Sequence, residues 1–193
     1  ITTAKWNVAL GKNALYSNTT GNNNTAIGFK ALYFNTTGTG NSAQGAHALY
    51  SNTTGINNIG VGNSSMRKNT EGSNNTAIGI RALTSNITGN NNTAIGTKAL
   101  ENTNGTNNVA LGKDSGRFST GSNNTFIGTN VGSQIRSGDN NVFIGNGACN
   151  SYTSANNIFC LGMQGNNLIT GNFSTGVLVL GTPTGYTHVR GDL

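Results

Sequence analysis

Asn24-Thr25-Ala26-Ile27-Gly28, continued by Phe29-Lys30-Ala31-Leu32 and by Tyr33-Phe34-Asn35-Thr36-Thr37-Gly38, is the stretch that decides the fold. A glycine closing a short apolar run returns at Gly11, Gly28, Gly45, Gly62, Gly79, Gly96, Gly112, Gly128, Gly145 and Gly162. The interval is 17 residues, except for two intervals of 16 from Gly96 to Gly112 and Gly112 to Gly128. We count slots from this anchor glycine. A period of 17 is too short for a helix-pair repeat, which needs about 33 residues. It suits one coil of a β-solenoid built of two short strands and two turns. Thr-Ala-Ile alternates in size with period two, as a half-buried strand does. Asn-Thr-Thr-Gly and Gly-Asn-Asn-Asn are turn chemistry, because Asn and Gly tolerate positive φ. Two glycines per unit, with several Asn and Thr, disfavour helix.

The slots hold narrow residue classes. Slot −4 is asparagine in nine copies: Asn7, Asn24, Asn41, Asn58, Asn75, Asn92, Asn108, Asn124 and Asn141; the tenth has Ile158. Stacked coils should turn this row into an amide ladder. Slot −2 is small in Ala9, Ala26, Ala43, Gly60, Ala77, Ala94 and Ala110, whereas slot −1 is aliphatic in Leu10, Ile27, Val61, Ile78, Ile95, Leu111, Ile127, Ile144 and Leu161, with Gln44 the exception. Slot +4 carries Leu15, Leu32, Leu49, Met66, Leu83 and Leu100. The expected core is the slot −1 stripe facing the slot +4 leucines. Ten coils roughly 4.8 Å apart make a rod of roughly 50 Å. The repeat predicts a solenoid over residues 1–171 and a strand-rich connector over 172–193. About 25 cal/mol per Å² on so few large aliphatics gives little support to 17 ordered residues. Chains are therefore expected to associate and share a core, with a homotrimer the arrangement that suits a fibre.

Phe126 and Phe143 replace alanine in slot −2 of late copies, while Gly116 and Gly132 replace leucine in slot +4. Large and small trade slots, so the core changes register or shape near residue 112.

Composition sets the limits. Of 193 residues 29 are glycine, one is proline and 8% are charged, which fits neither charge-rich disorder nor a collagen triplet. The net charge of +6 rests on 11 Lys and Arg spread singly, without the basic face of a nucleic-acid binder. No apolar run approaches the roughly 20 residues that span a bilayer, so no membrane insertion is expected. No signal peptide is visible, and the chain begins at Ile1 rather than Met, which leaves the compartment open.

The Asn-Thr-Ala-Ile-Gly and Val-Ala-Leu-Gly units, with the Ala-Leu that follows them, resemble the head repeats of trimeric autotransporter adhesins. They resemble still more the Asn-Thr-Gly-rich repeats of bacteriophage and large-virus tail fibres, from Ile1 to about Gly171. In those fibres the repeats precede an intramolecular chaperone that is cleaved after trimerisation, and the tail from Gly176 to Leu193 looks like the connector before it. The adhesin repeats are usually shorter. The resemblance implies a left-handed parallel β-roll, homotrimeric assembly and host-surface attachment, on a virion tail fibre or an extracellular surface.

Candidate chemistry is sparse. Glu71, Glu101, Asp114, Asp139 and Asp192 fall in different coils and slots, which argues against an acid–base pair. His47 and His188 have no triad or metal spacing, so neither catalysis, nor a metal, nor a cofactor is expected. Tyr16, Tyr33 and Tyr50 share slot +5 and should stack, either as a platform for sugar rings or a receptor, or else to pack the seam between chains or simply stabilise the stack. Lys30, His47, Arg81 and Lys98 share slot +2, a basic row facing anionic glycans or a solvated face that blocks lateral aggregation. Cys149 and Cys160 read best as small buried residues, with a disulfide between neighbouring coils as the alternative. The sequons at Asn18, Asn35, Asn52 and Asn86 read as by-products of the repeat, and Arg190-Gly191-Asp192 as connector sequence.

The function that follows is a structural and host-attachment segment of a trimeric phage or viral tail fibre. A bacterial surface adhesin or extracellular filament is the alternative. An ice-binding solenoid is the remote one, suggested by Thr25, Thr76, Thr93 and Thr125 in slot −3 and weakened by Ser42, Ile59 and Val109 there.

Overall fold

The computed structural model describes residues 3–182 and 185–190. Each coil contributes one three-residue strand, in slots −3 to −1: β1 (Val8–Leu10), β2 (Thr25–Ile27), β3 (Ser42–Gln44), β4 (Ile59–Val61), β5 (Thr76–Ile78), β6 (Thr93–Ile95), β7 (Val109–Leu111), β8 (Thr125–Ile127) and β9 (Val142–Ile144). We number coils by their strand. Adjacent strands pair in parallel with slot on slot, as Ala26 opposite Ala43. β10 (Ile158–Met163) closes the parallel series against β9. Ten parallel strands thus bound nine turns of an all-β solenoid, with no helix among the described residues.

One strand per coil is fewer than the two expected. The rest of the coil turns too sharply for a second strand, yet its backbone is still bonded from coil to coil. The Leu15 N–H donates to Ala31 O at 3.0 Å, and the Lys30 N–H donates to Lys12 O at 3.0 Å. Three positions per coil are left-handed: slot −5 (Asn23, φ +56), slot +2 (Lys30, φ +53) and slot +4 (Leu32, φ +50). Asparagine accepts that geometry readily, whereas a bulky leucine does so only where its surroundings force it. Here neighbouring coils supply the force. The anchor is glycine for a different reason: a Cβ on Gly28 (φ +135) would lie 2.6 Å from the Gly45 carbonyl oxygen of the coil above.

The core differs from the expected one. Slot −2 (Ala26, Ala43, Ala77, Ala94, Ala110), slot +3 (Ala31, Ala48, Ala82, Ala99) and slot +4 (Leu32, Leu49, Met66, Leu83, Leu100) are fully buried. The aliphatics of slot −1 point outward, with Leu10 66%, Ile78 40% and Leu111 47% exposed. Alternate strand residues face opposite sides, so a small residue facing in puts its large neighbour out. The coil is too narrow for an isoleucine opposite a leucine, and alanine takes the inner place.

The late coils fill the same space from the other wall. Phe126 and Phe143 are fully buried, and a Cβ on Gly116 (φ +56) would meet the Phe126 ring at 2.5 Å. The strand register runs on unbroken from Ala110 to Phe126 to Phe143, so the change is one of shape and not of register.

Beyond the solenoid the sheet turns antiparallel. β10 pairs on its other edge with β11 (Asn166–Asn172), followed by β12 (Val177–Thr182) and β13 (Gly185–Arg190). The solenoid geometry therefore gives way at Asn166, earlier than the boundary at residue 171 read from the repeat. Of the Arg190-Gly191-Asp192 tripeptide, the last two positions lie outside the described residues.

Candidate functional site

Four features stand out, beginning with the ladders that set the coil spacing. In slot −4, Asn24 to Asn141 are buried, and Asn7 is half-buried at the end of the row. The rungs run mainly from backbone to side chain. The Asn24 N–H donates to Asn7 Oδ1 at 2.8 Å and the Asn41 N–H to Asn24 Oδ1 at 2.9 Å; at the far end the Ile158 N–H donates to Asn141 Oδ1 at 3.0 Å. Direct amide rungs also occur, as from Asn92 Nδ2 to Asn75 Oδ1 at 3.1 Å.

A second ladder occupies slot +7 and was not read from the sequence. Asn35 Nδ2 donates to Asn18 Oδ1, Asn52 Nδ2 to Asn35 Oδ1, Asn69 Nδ2 to Asn52 Oδ1 and Asn86 Nδ2 to Asn69 Oδ1, each at 2.8 Å. Its members are the sequon asparagines together with Asn69. Asn35, Asn52 and Asn86 are fully buried, so folding closes their amides to any glycosyl transfer. Both ladders meet on the second glycine of the coil: Asn24 Nδ2 (2.8 Å) and Asn35 Nδ2 (2.9 Å) donate to the same Gly38 carbonyl. The signal was the invariant spacing of Asn18, Asn35, Asn52, Asn69 and Asn86, which the sequon reading obscured.

The second feature is an aromatic and cationic patch on the first four coils. Tyr16 and Tyr33 stack at 5.1 Å between centroids and 5° between planes, and Tyr33 and Tyr50 at 5.4 Å and 19°. Phe34 meets both Tyr33 and Tyr50 edge-on, and His47 meets Phe29 and Tyr50. Lys30 Nζ lies 5.3 Å from the Phe29 ring and 5.4 Å from Tyr33, and the Arg67 guanidinium lies 5.7 Å from Tyr50. Burial, and then Arg67 and Lys30, push the His47 pKa below the ordinary histidine value.

Thirdly, the basic row of slot +2 divides. Lys30 and His47 join the aromatics, whereas Arg81 turns to Glu101, with Nη2 2.8 Å from Oε1 and no hydrogen-bond alignment. Arg117 Nε donates to Glu101 Oε2 at 2.7 Å, and Arg117 Nη1 lies 3.6 Å from Asp114 Oδ1. Two carboxylates placed in different slots by the sequence thus converge on one guanidinium. Glu101 is 2% exposed, a position tolerable only with such partners. Lys98 lies between them in sequence, half-buried.

Fourthly, Cys149 (slot +4) and Cys160 (slot −2 of the next coil) form a disulfide, with Cα atoms 6.4 Å apart. The favoured reading of two small buried thiols is corrected. These slots face each other across the core, as Gly116 and Phe126 do, and the Cα separation lies within the range a disulfide spans. The bond ties the last solenoid coil to the antiparallel strands. Among the described residues no group of three or more His, Cys, Asp or Glu could hold a metal, and no helix is long and apolar enough to cross a membrane. No known family model, curated protein or solved structure matches the chain, and its geometry alone supports a functional reading.

Proposed function

We propose that the chain is a structural and attachment segment of a trimeric fibre of the phage or viral tail-fibre kind. The coil would be a left-handed β-roll, with three copies packed along the outward strand face. The observation that carries this reading is the aliphatic stripe of slot −1. Ile27, Ile78, Ile95, Leu111 and Ile127 stand 37–47% exposed in one line, flanked in slot −3 by Ile59 at 43% and Val109 at 40%. Isolated apolar residues are ordinary on a surface, but a line of them, broken here only by Gln44 in coil 3, marks an interaction site. The repeat supports a second copy of the chain as the occupant. Another copy carries the same stripe at the same coil pitch and matches it residue for residue along the rod. The disulfide supports an oxidising, extracellular setting.

Light scattering tests the assembly, with three times the chain mass expected at micromolar concentration. Ile78→Asp with Ile95→Asp should leave the far-UV spectrum unchanged, because both side chains point outward, and should yield single chains. A wild-type monomer at that concentration would overturn the reading. Threonines of slot −3 share this outward face, so thermal hysteresis from the monomeric wild type would favour the ice-binding reading instead.

A further inference from the structure

We propose that the aromatic and cationic patch on the first four coils binds an anionic polysaccharide. This deepens the attachment reading and rests on it for its setting, but it uses a stretch of coil separate from the self-association stripe.

Charge is the first argument. Up to Thr70 the chain holds Lys5, Lys12, Lys30, Arg67 and Lys68 and no Asp or Glu; the first acid is Glu71. The ion pairs of the described residues all fall between Arg81 and Arg117. Three cations of the later coils, Arg81, Lys113 and Arg117, thus face carboxylates of the same chain, whereas the stretch up to Thr70 contains no carboxylate at all. A second copy brings the same positive charge to this patch and is repelled, whereas an anionic partner is attracted.

Geometry decides the kind of anion. Tyr33 is sandwiched between Tyr16 and Tyr50, so both of its ring faces are occupied. Single-stranded nucleic acid binds through bases stacked on free aromatic faces, which Tyr33 cannot offer. What the stack presents is its edge: one phenol per coil, with ring centroids 5.1 and 5.4 Å apart, and Lys30 and Arg67 alongside. A row of donors at fixed pitch suits an extended chain of repeating acceptors. Carboxylates or sulfates along a sugar polymer have that form, and their bonds to ammonium, guanidinium and phenol are the strong, charge-assisted kind. The patch is accessible, with Tyr16 68% exposed and Arg67 exposed, and Lys30 and Arg67 already lie over the rings of Tyr33 and Tyr50.

Retention of the full 193-residue chain on immobilised polygalacturonate, heparin and neutral dextran tests the proposal, with a thymidine oligonucleotide as competitor. The expected result is binding to one or both polyanions at about 0.15 M salt, release near 1 M, and none to dextran. Comparing polygalacturonate with heparin separates carboxylate from sulfate. Lys30→Glu with Arg67→Glu should weaken binding about tenfold or more. Lys113→Glu with Arg136→Glu changes the net charge equally away from the patch and should weaken it by about twofold at most. Tyr33→Phe keeps the stack, removes one hydroxyl and should weaken binding a few-fold. Equal loss in the two charge variants, equal retention on dextran, or efficient displacement by the oligonucleotide each overturns the proposal. Solution mass and far-UV spectrum, read on every variant, separate loss of this surface from loss of assembly. Should Lys30→Glu with Arg67→Glu fail to fold, Tyr33→Phe and the wild-type probe preference decide.

Discussion

In coils 1 to 5 the carbonyl of the second glycine accepts two asparagine amides, one from slot −4 and one from slot +7; in coils 6 to 8 it accepts only the first. Gly89 takes Asn75 at 2.8 Å and Asn86 at 2.9 Å, whereas Gly105 takes Asn92 alone at 2.8 Å. In coils 6 and 7 the change coincides with a shorter turn, whereas in coil 8 the turn has its full length and Ile135 stands in place of the asparagine. Asn86-Ile87-Thr88-Gly89 becomes Thr103-Asn104-Gly105 and then Ser119-Thr120-Gly121. An asparagine in slot +7 reaches the glycine three residues ahead, and removing one residue takes that acceptor away. Thr103 bonds the turn from closer in, accepting from the Gly105 N–H at 3.3 Å. Asn86 is left with its buried Oδ1 unpaired, the last member of its ladder. Beyond the junction apolar bulk takes over, with Phe126, Val131, Ile135 and Phe143 all fully buried. The same backbone coil is thus held by polar clamping at one end of the rod and by hydrophobic filling at the other.

The largest expected effect removes the filling. Phe126→Ala empties a position against which Gly116 and Gly132 are fitted, and should cost about 3–5 kcal/mol in urea unfolding. Gly116→Leu alone should also destabilise, by about 1–3 kcal/mol, through collision with the ring. The two together should recover much of the loss, because slot +4 already accepts leucine at φ near +50 in earlier coils. A strictly additive double variant would show that the two regions are not alternative fillings of one design.

Removing the disulfide comes next. Cys149→Ser with Cys160→Ser should cost about 3 kcal/mol on the loop-closure scale. Hydrogen exchange should place the loosening at β9 to β12 and leave coils 1 to 5 protected; uniform loosening would mean that the rod unfolds as one unit. Asn52→Ala follows, at about 1–3 kcal/mol, by unpairing buried amide groups above and below it. Thr103→Ala, the equivalent change past the junction, should cost less, and thermal melts of the two would measure the value of the clamp. The smallest effect is from pH. The folded pKa of His47 lies below its ordinary value, so the unfolded chain binds the proton more tightly and stability falls as pH drops through that range. A slight fall in melting temperature from about pH 7.5 to 5.5 is expected, and His47→Gln should abolish it.

Much of this was legible in the sequence because it recurs every 17 residues. The coil, its turns, the slot −4 ladder and the tyrosine stack all follow from residue type at fixed spacing. The inward face of the strand did not follow. Period two fixes which residues share a face but not which face is buried, and the larger side chains of slot −1 drew the wrong choice. The correct sign was nevertheless present: Phe126 and Phe143 gain volume in slot −2 where Gly116 and Gly132 lose it in slot +4, and only facing positions compensate one another. Cys149 and Cys160 obey the same rule. The cluster of Glu101, Asp114 and Arg117 was hidden for another reason: Glu101 and Arg117 share slot +5 of adjacent coils, but that slot holds tyrosine in the first three coils and changes residue class along the rod, so no repeated residue type betrays the pair.

The rungs of both ladders join only adjacent coils, and in coils 1 to 5 every rung joins the same residue type to itself. A duplicated or deleted 17-residue unit there would bring identical donors and acceptors together at the seam, with no mismatch to repair. Each such event would lengthen or shorten the rod by one spacing, roughly 4.8 Å. Reach could then be adjusted by recombination between copies, in whole steps, with no new contact to invent.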